Sequence, residues 1–465
     1  MKNKERLLWI GLVLILLIVT TASGLNSWTL FGDAEKTYEN LRIFNEVFNL
    51  LRTEYYDESK VTPEALSLGA INGMIQSLDD PHTSYLPKDV YSELQTDTKG
   101  EFGGLGIVIG VRDGWITVIS PIDDTPAARA GIKAGDMIIE VDGKSTEGFT
   151  TMDAVRVLRG RVGTSVTIKV KRPGVEESLE FTIVRGLIKL QTVKSTMIDD
   201  HIGYIRISQF SENTPEALKK QYMDLYNKGM DSVIIDLRNN PGGLLSSVVQ
   251  IADLFLDNGT IVSTKGRNPS QDQVFTAHKE LLLPELPMIV LVNEGSASAS
   301  EIFAGAMKDN KRAIIVGEKT FGKGSVQTVR ELPNGAGIRI TTALYFTPSG
   351  KTIDKIGIEP DEVVHGVEIT EKEMKAIDKI NELKLIEEFV KKHPEKYTDE
   401  DFRALMKEIE NNGIKINPLI VKRLIKNEKE KYKIPDLVDL EYDLQLKHAV
   451  NMLKTVSFFT KQKAS

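Results

Sequence analysis

Between residues 187 and 365 the chain alternates short, almost uninterrupted apolar runs with amphipathic stretches, and this alternation restricts its fold more than any other feature. The runs Ile202–Ile207, Ser232–Asp236, Met288–Val292, Ala313–Val316 and Ile338–Ala343 have strand length and β-branched content. The intervening stretches 215–228, 246–256 and 298–308 carry apolar residues at helical spacing. Strands that are apolar on both faces need cover on both faces, so the pattern predicts an α/β sheet with helices packed against it.

The flanks differ in texture. Residues 96–186 break into β-branched runs (106–109, 115–119, 137–141 and 166–170) separated by turn signals such as Asp142-Gly143 and Arg172-Pro173-Gly174. One helix is expected there, over 151–158, which gives a small, mostly β domain. Residues 31–95 read as helical, with a stripe of Leu41, Phe44, Val47, Phe48 and Leu51, and 366–465 as a Lys/Glu-rich helical domain broken by Pro394 and Pro435. The fold class expected for the 465 residues is therefore multidomain, α/β and α+β together.

The first 30 residues carry a targeting pattern. Lys2, Lys4 and Arg6 precede an apolar run from Leu7 to Val19, and small residues follow up to Gly24. This is the layout of an export signal cut after Ser23, yet 7–25 is also long enough to remain as a membrane anchor. The flanking positive charge puts the N-terminus inside and the rest of the chain outside the cytoplasm.

Composition removes several kinds of chemistry. With no cysteine there is no thiol nucleophile, disulfide framework or thiolate metal site. None of the six histidines stands at HxH or HxxxH spacing, so a compact zinc motif is absent and no metal or organic cofactor is implied. A net charge of -7 without a basic, aromatic-laced stripe gives no nucleic-acid footprint.

Three segments carry reactive potential. Asn293–Ile302 follows an apolar strand and opens a helix, a place where a serine hydroxyl meets unpaired N–H groups; Ser296, Ser298 and Ser300 are all candidates there, and simple helix capping is the plainer reading. In Gly322-Lys323-Gly324 a lysine sits between two glycines, where substrate can approach it. An ordinary lysine titrates near 10.4, so only about one in 2500 is neutral at pH 7, and burial has to supply ~4.6 kcal/mol to make it a base there. Gln327 is placed to orient the amine without adding negative charge. Asp236–Gly243 ends in consecutive glycines whose N–H groups can face an oxyanion.

With SASASE (296–301), FGKGSVQ (321–327) and DLRNNPGG (236–243) in this order, the chain resembles the C-terminal processing peptidases, or tail-specific proteases, and the 25-residue separation of Ser298 and Lys323 also matches. The resemblance implies a serine endopeptidase with Ser298 as nucleophile, Lys323 as general base and Gln327 as the residue that positions it. It puts the oxyanion hole at the amides of Ala299 and of Gly242 or Gly243, with the choice between the glycines open. It also implies a PDZ domain. Gly104, Leu105, Gly106 and Ile107 are similar to a PDZ carboxylate-binding loop, in which successive N–H groups hold a peptide terminus. Arg159 is a candidate for coupling that domain to the active site, with gating of access as its expected role. The implied partners are protein or peptide substrates with C-terminal or unstructured segments, the membrane through the N-terminal segment, and a second copy of the chain through the flanking helices. His82 reads as structural. Gly317-x4-Gly322-Lys323 approaches a phosphate-binding loop, but Gly324 stands where Ser or Thr would bind magnesium and a strand pattern follows where a helix is required.

Overall fold

The computed structural model describes residues 36–464 apart from 113, 123, 367–369 and 431–435, so the expected signal or anchor over 1–30 lies outside the described residues. No helix among the described residues is long and apolar enough to cross a membrane. The chain forms two compact units, one ending at Tyr85 and one beginning at Leu86.

The first unit is helical. A helix over 36–54 is followed by Pro63–Gln76, which starts with proline and is capped by the Thr62 hydroxyl accepting from the Ala65 amide at 3.2 Å. The apolar stripe of 36–54 is largely exposed, with Leu41 at 60%, Phe44 at 50% and Val47 at 49%.

In the second unit the small β domain comes first. Strands Ile107–Arg112, Trp115–Pro121, Met137–Val141, Ser165–Lys171 and Leu179–Val184 lie antiparallel in that spatial order. Along Ser165–Lys171, Val166, Ile168 and Val170 are buried and their neighbours are not, the two-residue period of a half-covered sheet. Helix Thr151–Leu158 begins with a reciprocal cap between Thr150 and Asp153, and Ala154 and Leu158 close the core against Leu105, Ile116 and Ile168.

The central sheet is built from β1 (Val193–Met197), β2 (Ile202–Ile207), β3 (Ser232–Asp236), β4 (Met288–Val292), β5 (Ile314–Gly317) and β6 (Glu362–Val363), side by side in chain order. β1 and β2 form an antiparallel pair, and every later pair is parallel. Helices α1 (Thr214–Tyr226), α2 (Leu245–Asp253) and α3 (Ala299–Asp309) supply Leu218, Tyr222, Val248, Ile251 and Phe303 to one face, against Val233, Ile235, Val290 and Ile315. On the other face, α4 (Leu444–Ala464) brings Leu446, Ala449, Val450 and Leu453 onto Tyr204, Ile234, Ile289 and Leu291. All five residues of β3 and of β4 are buried, as strands sandwiched between helices must be.

Two expectations are corrected. Ile338–Ala343 is not part of this sheet: the strand Gly337–Phe346 pairs antiparallel with Ser325–Glu331 and with Thr260–Gly266. Its alternating Arg339 and Thr341 suit a half-covered surface, and Pro333-Asn334-Gly335 turns it back on its partner. Residues 366–465 also do not behave as one body. Helices between Glu371 and Lys429 enclose their own core of Ile380, Leu405, Ile409, Val421 and Ile425, whereas α4 leaves them to cover the central sheet.

Candidate active site

Strands β3, β4 and β5 end level with one another, with Asp236 paired to Leu291 and Val292 to Gly317. Their three loops, 237–244, 293–298 and 318–324, therefore open on one edge of the sheet. The carboxyl edge of a parallel sheet is the usual place for a site, because strand ends and helix N-termini converge there.

The loop after β4 ends in Ser298, immediately before α3. Ser298 has φ 53° and ψ −111°, a left-handed conformation that costs a non-glycine residue about 1–3 kcal/mol and persists only where its surroundings fix it. The three serines are now distinguishable. The Ser296 hydroxyl donates to the Leu237 carbonyl at 2.8 Å and the Ser300 hydroxyl to the Asn240 carbonyl at 2.9 Å, both fully buried. Of the three, only Ser298 lines the cavity of about 650 Å3 that opens beside the loops.

Lys323, Gln327 and Gly243 line that same cavity. The glycines beside Lys323 answer to close packing: a Cβ on Gly324 would lie 2.1 Å from the Asp354 amide nitrogen, and Gly322 has φ +90°. The lysine is half-buried. Burial holds its pKa below the ordinary lysine value, the Arg339 charge adds to this, and the Glu301 charge opposes it. The Gln327 amide nitrogen donates to the Ser325 hydroxyl at 2.7 Å and to the Ser325 carbonyl at 2.9 Å, which leaves its oxygen as the end able to accept from an amine.

Glu301, on the first turn of α3, carries no role in the sequence reading and is the hub of the site. It is fully buried and takes four donors: the Thr320 hydroxyl at 2.6 Å and the Gly322 amide at 2.7 Å on Oε1, the Lys323 amide at 2.9 Å and the Ser298 amide at 2.8 Å on Oε2. Burial pushes its pKa up and these bonds oppose the rise. Four donors converging on two oxygens fit the ionised form. The signal for it in the sequence is a glutamate three residues after the N-cap, the capping-box spacing; its second grip, on the lysine loop 22 residues away, has no local signature.

The candidate oxyanion amides also separate. The Gly242 amide donates to the Asn240 side chain at 2.9 Å and is spoken for. The amides of Gly243 and of Ala299, the first residue of α3, have no acceptor among the described residues. A Cβ on Gly242 would meet the Ala297 carbonyl at 2.7 Å and the Ser298 Cβ at 2.8 Å, so this glycine lets the two loops touch. Asn240, also without a role in the sequence reading, ties them further: its carbonyl accepts from the Ala297 amide at 3.0 Å and its side chain donates to the Ile207 carbonyl at 2.8 Å.

The remaining candidates lie in the β domain. Gly104 and Leu105 are buried, Gly106 has φ +77°, and Ile107 starts a strand. The amides of Leu105 and Gly106 have no acceptor among the described residues, while their carbonyls take the Ala127 and Ile122 amides at 2.8 and 2.9 Å. The Arg159 guanidinium stacks 4.1 Å over the Phe102 ring. Asp97, which lines the 650 Å3 cavity, has its pKa raised by burial against the opposing pull of the Arg159 charge.

Comparison with known proteins gives a consistent picture. Residues 201–364 match the model of peptidase family S41, 117–172 that of the PDZ domain, and 25–90 that of the activating protease CtpB N-terminal domain. The chain is 46% identical over 340 residues to a carboxy-terminal-processing protease of Bartonella bacilliformis, covering 72% of this chain and 77% of that protein. It is 40% identical over 351 residues to a carboxyl-terminal-processing protease of Synechocystis, covering 73% and 80%. Among solved structures, it resembles a photosystem II D1 C-terminal processing protease at 31% identity and a TM-score of 0.42, covering 69% of this chain and 92% of that one.

Proposed function

Since the chain belongs to the carboxy-terminal processing proteases of peptidase family S41 and is a PDZ-containing serine-type peptidase, we propose that it cleaves peptide bonds with Ser298 as nucleophile and neutral Lys323 as general base. The Ser298 oxygen attacks the scissile carbonyl carbon while Lys323 takes the hydroxyl proton. The carbonyl oxygen becomes an oxyanion facing the Ala299 and Gly243 amides. Lys323 then returns its proton to the departing amine, and water activated by the same amine releases the acyl group from Ser298. Gln327 steadies the lysine through its free oxygen.

One observation carries the reading: Ser298 and a lysine whose pKa is lowered by burial line one cavity, with both backbones held by a single carboxylate. The test is turnover of an unstructured peptide by Ser298→Ala and Lys323→Ala beside wild type across pH. Loss of turnover in both, with a base limb below the ordinary lysine range in wild type, supports the dyad. Full turnover in either variant ends it.

The β domain receives the substrate's C-terminal carboxylate on the Leu105 and Gly106 amides, with the chain laid along Ile107–Arg112. Arg159 reports that binding to the active site through Asp97. Arg159→Ala is expected to change the dependence of rate on the substrate's terminal residues, and unchanged rates on all peptides count against gating. The basic and apolar pattern of residues 1–24 supports a catalytic part outside the cytoplasm. The exposed stripe of 36–54 supports self-association, to be read as the mass in solution with and without residues 1–56.

A further inference from the structure

Arg238 opens the loop that ends in the Gly243 amide. Its guanidinium is nearly buried, with 11% of the side chain exposed, and it joins two carboxylates from distant parts of the chain. On one side is Asp236 at the end of β3, 2.6 Å from Nη2 and 3.0 Å from Nε. On the other is Asp443, immediately before α4, whose two oxygens lie 2.7 Å from Nη1 and 2.7 Å from Nη2. Gln445 Oε1 adds a contact at 3.1 Å. Arg238, Asp443 and Gln445 line a polar cavity of about 700 Å3 that Ser298 does not line.

Asp236 does not depend on Asp443 for its own satisfaction. It is fully buried and takes the Tyr204 hydroxyl at 2.6 Å, the Arg238 amide at 2.8 Å and an Arg206 contact at 3.4 Å. Burial works against its charge, but the Arg238 charge and these bonds outweigh it and hold its pKa below the usual carboxylate range. What Asp443 adds is a second, bidentate hold that fixes the plane of the guanidinium. The next residue shows why that matters. Asn239 has φ +56°, a left-handed turn that asparagine tolerates, and it is held across to the next loop, its amide donating to the Asn293 side chain at 2.8 Å and its side-chain oxygen accepting from Asn293 at 3.0 Å. Its far end is fixed by Asn240 on Ile207 and Ala297. Its near end is Arg238.

We infer that Asp443 is a positioning residue for the reaction: through Arg238 the C-terminal segment holds loop 238–243 so that the Gly243 amide meets the oxyanion. The inference rests on the Ser298–Lys323 reading and on Gly243 as an oxyanion donor. It makes the segment before α4 part of the catalytic apparatus, although 205 residues separate it from Arg238.

The experiment compares Asp443→Asn with Val450→Ala in the full chain. Asparagine keeps the oxygen that accepts from the Leu446 amide at 2.9 Å, so the start of α4 stays capped, but it loses the paired charge on Arg238. Val450→Ala loosens the same helix on the sheet without touching Arg238. For Asp443→Asn, kcat is expected to fall about tenfold or more with KM within about twofold, and the Ki of a peptide boronate, a tetrahedral mimic, to rise in step. Val450→Ala keeps the wild-type kcat below its unfolding midpoint. Unchanged kcat in Asp443→Asn, or an equal fall in Val450→Ala, overturns the positioning role alone. Absence of any boronate adduct on Ser298 in wild type overturns the dyad, and the positioning role with it.

Discussion

Replacing Glu301 by glutamine removes one charge and almost no volume, and the site predicts two effects of opposite sign. The carboxylate takes two donors on each oxygen. An amide has one oxygen, so in either orientation its NH2 faces two N–H or O–H donors. If the oxygen stays with Thr320 and Gly322, the amides of Lys323 and Ser298 lose their acceptor. At about 1.5–3 kcal/mol for each bond to a charged group, the variant is expected to be about 3–6 kcal/mol less stable. With the Ser298 turn and the Lys323 loop released, an ångström of misplacement is expected to cost about 100-fold in kcat under the proposed mechanism. The second effect is on Lys323. Burial and the Arg339 charge lower its pKa and the Glu301 charge raises it, so removing that charge lowers it further. A base works when neutral, so the rising acid limb of kcat against pH moves to lower pH while its plateau falls. Urea denaturation and a pH–kcat profile on one peptide read both effects. A variant as stable as wild type, or a limb that stays put or moves to higher pH, would falsify the hub assigned to Glu301.

Three further outcomes follow from single contacts. Gly243→Ala places a Cβ 2.0 Å from the Phe210 carbonyl at φ +144°, which displaces the amide; kcat is expected to fall about 10²–10³-fold. Lys323→Met removes a group whose folded pKa is depressed, so wild type loses stability as pH falls through that pKa; the variant should have the higher urea midpoint at neutral pH, and the gap should close above the ordinary lysine range. Arg185→Ala strips donors from the Leu158 carbonyl at 3.0 Å and the Val157 carbonyl at 2.9 Å at the end of helix Thr151–Leu158; a loss of about 2–4 kcal/mol is expected in urea, with weaker binding of C-terminal peptides in titration calorimetry.

What the sequence shows of this protein follows the range of the interactions involved. β3 and β4 are legible because burial on both faces forces unbroken apolar runs, and α3 because its first turn and its apolar spacing are local. Gly337–Phe346 is misassigned because the run from Ile338 to Ala343 carries enough Ile and Ala to pass for a buried strand, whereas its alternation with Arg339 and Thr341 marks a surface hairpin. The displacement of α4 from the other C-terminal helices has no local signal, since Leu446 and Val450 would serve equally in a bundle. Within the site, the serine and lysine stand out by their glycine and small-residue settings. Ser296 and Ser300 are set apart from Ser298 by hydrogen bonds to a loop some 60 residues away, and Gly242 from Gly243 by a bond to the Asn240 side chain two residues back, and neither bond can be read from the motif itself.

A lysine base near a glutamate presents a physical difficulty, because a free carboxylate would pair with the ammonium and keep it charged. Glu301 avoids this through occupancy: its two oxygens already hold three backbone amides and the Thr320 hydroxyl, and Thr320 is itself fixed by accepting from the Ile358 amide at 2.7 Å. The carboxylate thus grips the backbone of Lys323 while its charge acts only weakly on the amine. Thr320→Val frees one of these acceptor positions without removing the charge. The open position draws the ammonium, the pKa of Lys323 rises, and the acid limb of kcat moves to higher pH, the reverse of the Glu301→Gln shift. If both variants move the limb the same way, occupancy of Glu301 is not what keeps this lysine available as a base.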